Sequence, residues 1–267
     1  MILNIIKTII IGIIEGITEW LPISSTGHMI LANELIKLDV SSEFWEMFEV
    51  VIQLGAIMAA VVIYFKDLFP WGFNKTKEDT KNTFILWGKI IVGCIPCAVV
   101  GILFDDWIND HFYNPWTVAI MLFIYGLLFI VIENHKKSNT KKEISFLTAF
   151  KIGLFQVLSV IPGTSRSGAT IVGGLEMGLD RTTITNFTFY MAIPVMAGAS
   201  LLKLLKFGLA FTSSEIIILL VGMVTAFIVS LMSIKYLLKY IKTNDFKMFG
   251  YYRIILSVIV ILYFIFR

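Results

Sequence analysis

The chain has 267 residues, 57% of them hydrophobic and only 15% charged, with a mean hydropathy of +0.84. Soluble domains carry about 25% charged residues, so a water-soluble domain is excluded and a single membrane domain over 1–267 is expected. The net charge of +3 sets 18 lysines and 4 arginines against 19 acidic residues, and most lysines stand at the ends of apolar runs, the membrane-surface position, which argues for a lipid bilayer as partner and against nucleic acid.

Met1 to Ile14 is apolar, with Lys7 its one charge. No small-residue cleavage site follows, so this segment is expected to belong to the fold. Next comes a polar string, Glu15-Gly-Ile-Thr-Glu19-Trp-Leu-Pro22-Ile-Ser24-Ser25-Thr26-Gly27-His28. Glu15 and Glu19 stand at i and i+4, on one face of a helix. Two carboxylates that close repel in an apolar setting unless a cation or a proton intervenes. A divalent metal bridging them and a phosphate is one reading; a solvated helix end with one protonated carboxyl is the other. Pro22 ends the helix. Ser24, Ser25 and Thr26 then offer hydroxyls that could cap the next helix or bind phosphate at its N-terminus. His28 lies one turn beyond Ser25, where a Ser–His pair would make an activated nucleophile.

A bilayer span needs about 20 apolar residues. Six runs qualify: 46–65, 84–104, 116–133, 182–203, 215–235 and 248–266. None alternates as a membrane barrel strand would. The first contains Glu49 and Gln53, four apart, divided between a site and helix–helix hydrogen bonding. Cys94 and Cys97 in the second are expected to pack, since no further metal ligands stand near them.

Between 133 and 182 lies an apolar stretch broken by Pro162-Gly-Thr164-Ser165-Arg166-Ser-Gly168-Ala-Thr170. Arg166 is the arginine expected inside an apolar region, and a phosphate or a carboxylate from Glu15 or Glu19 is its natural partner. The glycines and serines around it suit a cradle of backbone N–H groups for an anion.

Neither 1–28 nor 146–179 has a half long enough to cross a membrane, and a re-entrant helix–loop–helix hairpin fits each. A shift of 141 residues pairs Gly12 with Gly153, Glu15 with Gln156, Ser24 with Ser165 and Gly27 with Gly168. Three spans separate the hairpins, so the second must enter from the opposite face. The expected fold is therefore all-α, with six transmembrane helices and two re-entrant hairpins arranged as an inverted-topology repeat. Its halves are about 1–133 and 146–267, joined by a basic loop.

The loops 66–82 and 134–143 are basic, through Lys66, Lys75, Lys77, Lys81, Lys136, Lys137, Lys141 and Lys142. The loop 105–115 is acidic, through Asp105, Asp106 and Asp110. Basic loops face the cytoplasm, which puts 105–115 and 204–214 outside; Lys203 and Lys206 disagree mildly.

The strings E-G-x-T-E-W-L-P-I-S-S-T-G-H and P-G-T-S-R-S-G-A-T resemble the bacitracin-resistance type of undecaprenyl-diphosphatase, in order, separation and chain length. The resemblance covers essentially the whole chain. It implies a bacterial plasma-membrane hydrolase, with its active site open to the outer face, that converts undecaprenyl diphosphate to the monophosphate and recycles the carrier lipid for cell-wall synthesis. It also implies a divalent cation, Mg2+ or Ca2+, and bacitracin as a competitor for the lipid. Carried over position by position, the acidic metal pair falls on Glu15 and Glu19, the catalytic hydroxyl on Ser25, the catalytic histidine on His28, as base for Ser25 or as the nucleophile itself, and the phosphate-binding arginine on Arg166. Ser24, Thr26, Ser165 and Thr170 flank them as substrate-binding positions. The competing class is a transporter or flippase of a lipid phosphate, since inverted repeats with broken helices are a transporter signature. A second copy of the chain is a further potential partner.

Overall fold

The computed structural model describes residues 1–72, 75–135, 140–208 and 210–266, and all of these except the side chain of Asp105. Lys136 and Lys137 of the basic loop lie outside the described residues, as does the side chain of Asp105.

Twelve helices account for nearly all of the described chain: α1 (Ile2–Thr18), α2 (Ser25–Ile36), α3 (Ser42–Val51), α4 (Gln53–Ile63), α5 (Phe65–Leu68), α6 (Lys77–Phe112), α7 (Pro115–Asn134), α8 (Phe146–Val157), α9 (Arg166–Glu176), α10 (Arg181–Phe207), α11 (Ser213–Tyr240) and α12 (Lys247–Ile265). Among the described residues there is no strand, only an isolated bridge between Lys141 and Leu179. Six helical segments are long and apolar enough to cross a membrane: Ser42–Ile63, Lys77–Phe104, Pro115–Asn134, Arg181–Phe207, Ser213–Tyr240 and Lys247–Ile265. They coincide with the six runs read from hydropathy. Residues 105–112, expected as loop, instead continue α6. Nothing between Asp105 and Phe112 breaks a helix, and the turn waits for Asn114, which caps α7 ahead of Pro115 at its first position.

Apart from the single turn of α5, the remaining four helices form two broken pairs. α1 and α2 are joined through residues 19–24, and α8 and α9 through a 3-10 turn and residues 161–165. The two breaks end alike. Ser24 (φ 74°) and Ser165 (φ 70°) both adopt the left-handed region, and the hydroxyl of each accepts from the N–H three residues on, that of Gly27 or Gly168. Left-handed backbone costs a serine about 1–3 kcal/mol, so it persists only where surrounding structure imposes it.

The pairs are wedged into the bundle, each against a helix from the far half of the chain. α1 packs along α11, and α8 along α6. Small residues allow the close approach. A Cβ on Gly12 would stand 2.8 Å from that of Thr225, and one on Gly153 only 2.2 Å from the carbonyl of Gly93. α7 and α12 meet at Gly126 and Gly250, each facing the other's carbonyl. α10 crosses α3 and α4 and covers α9, which is buried from Ser167 to Leu175. Lys206, on the end expected to face outward, donates to Asp106 at 2.7 Å, which accounts for its presence among acidic residues and holds the Asp106 carboxyl below its usual range.

Candidate active site

The two breaks meet each other. Arg166 opens α9 and donates through Nη2 to Glu19 Oε1 at 3.0 Å; Ser25, at the start of α2, donates through Oγ to Glu19 Oε2 at 2.6 Å. Glu19 therefore bridges the hydroxyl and the guanidinium. Arg166 also donates through Nη1 to the Thr188 carbonyl at 3.0 Å, while its buried Nε has no protein partner. Thr170 and Thr188 brace this arrangement. The Thr188 hydroxyl donates to that of Thr170, which reaches back to the Arg166 carbonyl.

Glu19, Ser25 and Arg166 line a cavity of about 550 Å³, together with Thr26, Gln53, Ser159, Gly163 and Ser165. Its other wall is apolar and comes from α6 and α10, including Ile91, Ile95, Ile102, Val195 and Leu202. A polar floor with an apolar wall suits an amphiphile whose charged head meets Arg166. Cys94 and Cys97 lie along the same wall as free thiols.

Several sequence expectations meet a different geometry. His28 does not reach the Ser25 hydroxyl. Its Nδ1 lies 2.7 Å from the Ser24 carbonyl, so it carries the proton, and its Nε2 lies 2.7 Å from the Tyr252 hydroxyl, which then donates to it. One helical turn from Ser25 is close in sequence, but the ring folds back on its own backbone and stacks on Tyr252. Ser24 is buried and spends its hydroxyl on the cap of α2. Thr170 is buried behind Arg166 rather than on the cavity wall. Thr26 and Ser165 do line the cavity. Glu15 and Glu19 differ in what surrounds them. Both oxygens of Glu19 are engaged, whereas Glu15 is fully buried with neither oxygen hydrogen-bonded. Its partner in the 141-residue shift, Gln156, is likewise buried with both amide atoms unpartnered.

Arg166 is not the one arginine held in apolar surroundings. Arg253 of α12 is fully buried and donates to Pro22 O at 2.6 Å, Thr164 O at 2.9 Å and Gly163 O at 3.4 Å. Tyr125 and Phe129 present their rings to the guanidinium, 5.7 Å from their centroids. Arg253 thus ties the two breaks to each other and fixes Ser25 relative to Arg166. Its signal in the sequence was an arginine inside a continuous apolar run. Arg253→Met strands three carbonyls and is expected to cost about 3–5 kcal/mol, a fall of ~10 °C in the thermal midpoint in detergent. A midpoint within about 2 °C of wild type would contradict this role.

The chain matches the family described as "Bacitracin resistance protein BacA" over residues 8–259. It is 60% identical to the undecaprenyl-diphosphatase of Desulfitobacterium hafniense, with 98% of this chain and 97% of that one covered. It is 58% identical to that of Acetivibrio thermocellus and 55% identical to that of Enterococcus faecalis, in each case with 98% of both chains covered.

Proposed function

This chain belongs to the bacitracin resistance protein BacA family, and from that premise we propose that it is a membrane undecaprenyl-diphosphatase, releasing phosphate from undecaprenyl diphosphate and returning the monophosphate carrier to cell-wall synthesis. The observation that carries the reading is the Ser25–Glu19–Arg166 chain of hydrogen bonds on the floor of a cavity with an apolar wall.

Ser25 Oγ is the nucleophile. It attacks the terminal phosphorus while its proton passes to Glu19 Oε2, already at 2.6 Å. The bond from phosphorus to the bridging oxygen breaks, and undecaprenyl phosphate leaves with the proton from Glu19, which restores the carboxylate. Water, giving its proton to Glu19, then attacks the phosphoserine; the P–Oγ bond breaks, phosphate leaves, and the proton returns from Glu19 to Ser25 Oγ. Arg166 counters charge on the transferred group. Its Nε is unpartnered, and its Thr188 contact holds the guanidinium plane in place. Thr26 and Ser165 line the head-group end. A buried, unpartnered Glu15 carboxylate fits a divalent cation, Mg2+ or Ca2+, which when bound would supply positive charge near the diphosphate.

The fold reads as an inverted repeat of halves 1–133 and 146–267 within one domain, with α1–α2 and α8–α9 as re-entrant hairpins. Supporting this are the matched caps at Ser24 and Ser165 and the reciprocal packing of α1 on α11 and α8 on α6. The cavity extends along α6 toward Asn109, the end bearing Asp106 and Asp110, which favours an opening to the outer face. There bacitracin would compete for the same lipid. The repeat also suits a lipid-phosphate flippase, but the nucleophile and base lie in one copy and the anion clamp in the other, and that asymmetry favours hydrolysis. Purified protein in detergent is expected to release phosphate from a long-chain polyprenyl diphosphate and to lose at least about tenfold in rate with a chelator. Binding of that lipid with no release under any divalent cation would leave the flippase as the better account.

A further inference from the structure

A second, smaller cavity of about 140 Å³ adjoins the first, sharing Thr26, Gln53, Asn109 and Ser159 with it. Its polar lining is completed by Glu15, Glu49 and Tyr113. Each of these side chains presents an oxygen, and two are carboxyls. Glu49 accepts from the Tyr113 hydroxyl at 2.5 Å. Glu15 has no protein partner at either oxygen.

Hard divalent cations take such sets: carboxylates, amide and hydroxyl oxygens, and retained water. Among the described residues no three of His, Cys, Asp or Glu cluster as metal ligands, so a cation here needs the amide and hydroxyl oxygens to complete its shell. The volume holds an ion with a few waters, each taking ~30 Å³. Glu19 is absent from this lining, and its oxygens already face Ser25 and the Arg166 guanidinium. A cation placed there would meet the like charge of Arg166.

We propose that this cavity is a divalent-cation site whose charged ligands are Glu15 and Glu49, with Gln53 as a neutral ligand and Glu19 outside it. The inference deepens the hydrolase reading by separating the cation from the proton acceptor: Glu15 and Glu49 hold charge beside the head group, and Glu19 handles the Ser25 proton. The two carboxyls come from α1 and α3, so cation binding also ties the first break to the adjoining span.

The test is Mn2+ binding to the purified protein in detergent without lipid, followed by loss of the free-ion electron paramagnetic resonance signal. Wild type is expected to take up one ion. Glu15→Gln and Glu49→Gln should each weaken binding by roughly tenfold or more, and Glu49→Asp, which keeps the charge, should recover part of it. Glu19→Gln should bind within about threefold of wild type while losing phosphate release. Mn2+ protection against thermal unfolding, present in wild type and absent in Glu49→Gln, separates a lost ligand from a misfolded variant. If Glu19→Gln loses the ion as fully as Glu15→Gln, the cation lies between Glu15 and Glu19 and the assignment is overturned. If wild type releases phosphate but binds no ion, the cavity holds protons instead, and the proposal also fails. Binding with the expected variant pattern but no phosphate release from any polyprenyl diphosphate would uphold the site and defeat the hydrolase reading.

Discussion

Ser25→Ala is expected to lower kcat for phosphate release by at least about 10³-fold, with little change in lipid binding, because it removes the attacking oxygen and nothing that holds the tail. The structure sharpens this into a contrast. The Ser25 hydroxyl donates to Glu19 and not to His28. Glu19→Gln should therefore cost about 10²–10⁴-fold, the range for a lost general base. His28→Gln retains a donor toward the Ser24 carbonyl and an acceptor toward Tyr252, and should stay within about tenfold of wild type. Single-turnover phosphate release by the three variants decides the matter. Full loss in His28→Gln with near-normal Glu19→Gln would mean that the imidazole turns into the cavity when lipid binds, and would make it the base after all.

Arg166→Ala is expected to reduce kcat/KM by roughly 10²–10³-fold, the cost of a preorganised charge aimed at a developing anion. Arg166→Lys should restore little. The guanidinium serves the Thr188 carbonyl through Nη1 and Glu19 through Nη2, with Nε unpartnered. A single ammonium cannot reproduce that planar fork. Losing Arg166 also leaves a nearly buried Glu19 carboxylate, 7% exposed, without its cation. The loss should then appear in both kcat and KM. A Lys variant within about threefold of wild type would show that charge alone suffices and that the fork geometry is incidental.

Arg253 and Glu19 mark how far the sequence could be read. An arginine in an apolar run declares itself as unusual, but its three acceptors, Pro22, Gly163 and Thr164, lie 89 to 231 residues away. Glu19 and Arg166 are 147 apart. Helical periodicity placed Glu15 and Glu19 on one face, which held. It could not say that Arg166, 147 residues on, would take Glu19 while Glu15 lines the smaller cavity with Glu49. The spacing of His28 from Ser25 was equally suggestive, and Tyr252, 224 residues on, took the imidazole instead.

The sequence by itself determined the six spans, the two broken helix pairs and the residue types at their breaks. Those depend on hydropathy and on proline, glycine and serine within a few residues, which act locally and need no partner. Only the tertiary structure decided which side chains share a cavity. A buried charge takes whatever partner packing brings to it, and α1 against α11 and α8 against α6 are pairings across halves of the chain. So the reactive set of Ser25, Glu19 and Arg166, the separate oxygen-lined cavity at Glu15 and Glu49, and the clamp at Arg253 became visible only when the helices were assembled.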